Sequence, residues 1–63
     1  MNADMLQKLA ETGNLNAMVS LANAYLEGTG GVEVDQQKAV VWLEKAAEQG
    51  DENAQKTLMA LYS

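Results

Sequence analysis

The segment Ala10-Glu11-Thr12-Gly13-Asn14-Leu15-Asn16-Ala17 returns 37 residues later as Ala47-Glu48-Gln49-Gly50-Asp51-Glu52-Asn53-Ala54. The same offset of 37 pairs Leu21 with Leu58, Tyr25 with Tyr62, Leu6 with Leu43 and Lys8 with Lys45. Seven of the sixteen positions in 10–25 are identical to their partners in 47–62. A fixed period of this length is the mark of stacked supersecondary units, none of which can bury its apolar face alone. The matched residues have physical reasons to recur. Ala10 and Ala47 let neighbouring helices approach, Gly13 and Gly50 turn the chain, and Tyr25 and Tyr62 can lay a ring over the next helix.

Each unit reads as a helix pair. Gly13, the Gly28-Thr29-Gly30-Gly31 cluster and Gly50 are stop signals, because glycine accepts the left-handed conformation that ends helices. Asn14, Asp35 and Asp51 follow them as caps that accept from free backbone N–H groups. Between these signals the apolar residues recur at helical spacing over about 3–12, 15–27, 36–49 and 52–62. Val40-Val41 is too short for a strand and lies inside a helical pattern. Leu15 and Val32 are expected to anchor their turns on the core. The expected fold is all-α, a short α-α superhelix of four antiparallel helices. It forms a single domain over 1–63, with a half unit 1–13, a full unit 14–50 and a half unit 51–63.

Composition removes most chemistry. The 63 residues hold no His, Cys, Pro or Phe. Disulfides, thiolate metal sites, imidazole ligands and His-based triads are therefore absent. Four lysines against nine Asp and Glu give a net charge of −5. Lys8, Lys38, Lys45 and Lys56 are scattered, which argues against a nucleic-acid partner. No apolar run approaches a membrane span, which argues against a membrane partner. The opening Met1-Asn2-Ala3-Asp4-Met5 has no charged-then-apolar signal pattern, so a cytoplasmic chain is expected.

Local clusters read the same way. The glycines at 28–31 follow a helix and precede Val32, unlike a phosphate-binding loop. Glu44 and Glu48 lie one turn apart on a polar face, and Asp51 is used as a cap. No calcium-loop pattern exists, and no catalytic, metal or cofactor residue is expected. Trp42, spaced with Ala39, Leu43 and Ala46, reads as core, with an interface anchor as the alternative.

The run Ala17…Leu21-Ala22…Tyr25-Leu26-Glu27-Gly28-Thr29-Gly30, then Val32-Glu33-Val34-Asp35, then Lys38-Ala39…Trp42-Leu43-Glu44-Lys45-Ala46-Ala47-Glu48-Gln49-Gly50, resembles a Sel1-like repeat. That family belongs to the tetratricopeptide-like helical solenoids. Two departures stand out. Gly31 is an extra residue, with Glu33 or Val34 where the family has proline, and Met59 replaces the small residue at the Ala22 position. The resemblance implies a protein-interaction scaffold whose inner helices, 15–27 and 52–62, line a concave face.

On that mapping Asn16, Ser20, Asn23 and Glu27 share a stripe with Val19 beside it. Asn53 and Lys56 continue the stripe on the last helix, as candidates for holding a protein or peptide. Met59, Leu61 and Tyr62 at one end cannot all face the preceding helix, and Met1 and Met5 are spare at the other. Exposed apolar ends on a solenoid favour stacking, so a homodimer or small oligomer is expected. Two alternatives stand beside the adaptor reading. One is an acidic inhibitor or immunity-type protein covering a basic enzyme site. The other is a fragment or designed segment of a longer array.

Overall fold

The computed structural model describes residues 3–63. Four helices follow one another: α1 (Ala3–Glu11), α2 (Leu15–Glu27), α3 (Gln36–Glu48) and α4 (Glu52–Tyr62). Among the described residues there is no strand. Each helix packs on the next, and the α2–α3 contact is the most extensive. The all-α expectation holds, and Met1 lies outside the described residues.

The repeated motif makes a repeated turn. At the end of α1, Gly13 N–H donates to Ala10 O at 3.0 Å and Asn14 N–H donates to Leu9 O at 3.2 Å. At the end of α3, Gly50 N–H donates to Ala47 O at 2.9 Å and Asp51 N–H donates to Ala46 O at 3.2 Å. Both are Schellman closures, which satisfy the last carbonyls of a helix. Asn14 and Asp51 then open the next helix, accepting at the side chain from Ala17 N–H at 3.0 Å and Ala54 N–H at 2.7 Å. One residue thus finishes one helix and caps the next, which makes the turn short. Thr12 and Gln49 are spent in these closures, so α1 and α3 end one residue earlier than their periodicity suggests.

Both turn glycines have φ of +95°, and open space surrounds the position a Cβ would take at Gly50. The cost of a side chain there is therefore conformational. Gly50→Val is expected to destabilise the fold by at least ~1 kcal/mol in denaturant melts. An unchanged midpoint would show that the turn does not depend on the left-handed residue.

The core is built from small residues around two leucines. Leu21 and Leu43 are its largest fully buried side chains, surrounded by Ala10, Ala17, Ala22, Ala39, Ala46 and Ala54. Alanine at these contacts lets the helix backbones come close. Leu15 and Val32 are half-buried and pack on the core, as their expected anchoring role requires. Trp42 departs from the core expectation. It is only half-buried against the cluster, with Lys45 Nζ 5.5 Å from a ring centroid. The alkyl stem and charge of that lysine shield the outer ring face.

The longer loop closes over Gly28. Its N–H donates to Ala24 O at 2.7 Å with φ of +73°, ending α2 in a left-handed cap. The chain then returns, and Asp35 N–H donates to Tyr25 O at 2.8 Å. The additional Gly31 has φ of +89°, so the extra residue is absorbed in a conformation glycine adopts at low cost. Asp35 caps α3 by accepting from Lys38 N–H at 3.1 Å. Lys38 Nζ in turn stands 5.5 Å from the Tyr25 ring centroid.

Candidate partner-binding surfaces

The polar stripe on α2 reaches solvent. Asn16, Ser20, Asn23 and Glu27 are exposed, whereas Val19 is half-buried and packs on the core. On α4 both Asn53 and Lys56 are exposed. The stripe divides along its length. Asn16 and Ser20 border a groove of about 410 Å³ between α1 and α2, which Leu6, Leu9, Asn14 and Ala17 also line. Asn23 and Glu27 lie outside it. The groove has an apolar floor and amide and hydroxyl groups along its rim. Periodicity on α2 did not reveal it, because its floor is contributed by α1. Leu9 carried the signal, since its repeat partner is the fully buried Ala46.

Several carboxylates have structural partners. Asp51 and Asp35 serve as caps. Glu44 Oε2 accepts from Tyr62 Oη at 3.4 Å. Among the described residues no group of three or more Asp and Glu is placed to hold a metal ion, and no buried side-chain polar atom lacks a partner.

Residues one repeat apart have the same identities and different surroundings. Leu21 is 0% exposed, while Leu58 is half-buried. Tyr25 is 8% exposed, and Tyr62 is 66% exposed. Ala22 is 0% exposed, and Met59, its partner, is 72% exposed. Leu61 is half-buried and packs on the core, so Met59 and Tyr62 form the open part of the proposed self-association end. At the other end Met5 is 55% exposed. The cause is topological. Among the described residues α2 packs extensively on both α1 and α3, whereas α4 packs extensively only on α3.

Side-chain amides tie the turns together. Gln49 Nε2 makes long contacts with Gly13 O at 3.5 Å and Met18 Sδ at 3.7 Å, bringing the second turn beside the first. Gln55 Nε2 donates to Ala47 O at 3.3 Å. The stacking of equivalent turns gives Gln49 and Gln55 these roles.

Antiparallel helix pairs joined by equivalent Schellman turns, with a polar-rimmed apolar groove at one end, define a helical-repeat protein of the solenoid class. The chain belongs to the Sel1 repeat family, whose repeat it matches over residues 15–51. Among solved structures it is similar to c5321, a protective antigen present in uropathogenic Escherichia coli strains and described as displaying an SLR fold. The two share 40% sequence identity and a TM-score of 0.87 over 95% of this chain. The chain spans 13% of that larger protein. No curated protein gives a significant match. Sel1 repeat proteins are generally protein-interaction scaffolds, built on a non-catalytic helical framework. No helix among the described residues is long and apolar enough to cross a membrane.

Proposed function

We propose that this chain is a non-catalytic interaction module that holds a protein or peptide on the exposed face of α2 and α4. Membership of a scaffold family carries the reading. The exposure of Asn23 and Lys56 on α2 and α4, the helices that the family resemblance assigns to the inner face, supports it. The Asn23 amide can pair with a peptide backbone, and Lys56 with a carboxylate. The proposed division into 1–13, 14–50 and 51–63 places one such helix in each of the last two segments.

A pull-down or peptide-array screen with Asn23→Ala and Lys56→Glu tests the face. Each variant is expected to lose partner binding while keeping its helical signal. Unchanged binding in both would refute the assignment. The net charge of −5 supports a second reading, in which the acidic surface covers a basic enzyme site. Steep weakening of binding with salt would favour that charge mimicry over binding through the α2 and α4 face.

The open residues of α4, Met59 and Tyr62 with Leu61 beside them, support self-association into a homodimer or small oligomer. The cytoplasmic setting is a proposal resting on the sequence reading. Fractionation of the native host would test it, and recovery in a secreted fraction would count against it.

A further inference from the structure

We infer that the groove between α1 and α2 receives α4 of a second copy, so that the chains join head to tail. The inference rests on the self-association proposed above and names its surfaces. The occupied form of the same interface is already present inside the chain. Helix α2 sits against α3, the repeat partner of α1. The burial differences between equivalent residues mark both halves of that contact.

On the receiving side, Leu43 and Ala46 are fully buried and Thr57 is half-buried. Their partners Leu6 and Leu9 are half-buried and Ser20 is exposed, and all three line the groove. On the inserting side, Ala22 and Tyr25 are buried, whereas Met59 and Tyr62 are open. Among the described residues nothing fills the groove as α2 fills the corresponding contact with α3, and nothing covers the face of α4 that matches the α3-facing side of α2. A second copy shifted by one repeat supplies both at once, placing its α4 where α2 lies in the internal contact. Leu58 and Tyr62 then repeat the roles of Leu21 and Tyr25.

Two substitutions alter the fit. Met59 stands for Ala22 and Leu9 for Ala46, so the intermolecular helices lie further apart than α2 and α3 do. The intermolecular contact is accordingly weaker than the internal one. It is also heterologous, since the two surfaces differ, and such a contact propagates unless it closes into a ring.

Mixing two blocked chains tests the arrangement. Ser20→Arg fills the groove rim, and Met59→Glu puts a charge on the inserting face. Both positions are exposed, so the fold is expected to survive, as circular dichroism can verify. In sedimentation velocity each variant alone is expected to run as a monomer. An equimolar mixture is expected to run as a dimer, because one intact groove and one intact α4 remain. A Ser20→Arg chain that still dimerises alone would overturn the inference in favour of a two-fold α4–α4 contact. A mixture that stays monomeric would overturn it as well. Neither result would bear on partner binding through Asn23 and Lys56.

Discussion

Leu21→Ala is expected to cost about 3 kcal/mol, and Leu58→Ala, the same change one repeat later, about 1 kcal/mol. The two leucines share identity, helix position and preceding alanine, Ala17 and Ala54. They differ in what covers them. Leu21 is fully enclosed, whereas Leu58 keeps one side open. Truncating an enclosed leucine loses its transfer energy and leaves a cavity that a close-packed core cannot refill. At the half-open position the cavity is a surface dent that water can enter.

A domain of this size has a core that rarely supplies more than roughly 3–5 kcal/mol. Leu21→Ala is therefore expected to remove most of the stability and bring the chain close to its unfolding midpoint at 25 °C, whereas Leu58→Ala remains well folded with a lowered midpoint. Denaturant melts at low micromolar concentration measure both. Equal losses would mean that α4 is as well covered as α2, contrary to the described packing.

Gly28→Val is expected to cost about 2 kcal/mol or more, clearly above the same change at Gly50. Two penalties combine at Gly28. Its φ of +73° disfavours any side chain, and a Cβ there would lie 2.9 Å from Val34 Cγ2 and 3.4 Å from the Val34 backbone nitrogen. The Val34 side chain would have to move aside, loosening the packing of the returning loop over Gly28. Gly50 has only the first penalty, since its surroundings are open. A double variant, Gly28→Val with Val34→Ala, is expected to recover part of the loss. Equal melting midpoints for the Gly28 and Gly50 variants would show that loop packing over Gly28 contributes little.

Much of the fold was legible because its signals are local. A glycine followed by Asn or Asp encodes a helix end and a helix start within two residues, and the motif occurs twice. The caps Asn14, Asp35 and Asp51 were readable from residue type, and all three hold the bonds expected of them. Burial was less legible because it depends on neighbours supplied by the topology. Nothing in the residue Tyr distinguishes Tyr25 under Lys38 from Tyr62 reaching out to Glu44. Trp42 has the spacing of a core residue, yet it lies at the edge of the packed helices under Lys45.

The candidate site shows the same limit. Helical spacing places Asn16, Ser20, Asn23 and Glu27 on one stripe, but α1 decides that the first two border a groove. Val19 falls beside the stripe in sequence and packs inward in the structure. The groove itself needed both helices. Its signal lay in comparing repeats, where a leucine at position 9 meets a buried alanine at position 46.

The most direct measurement is a sedimentation velocity series on the unaltered chain, from low to high micromolar concentration. If its two ends complete one another, the weight-average sedimentation coefficient rises with concentration through dimer and beyond. A single monomer boundary, unchanged up to high micromolar concentration, would contradict that reading.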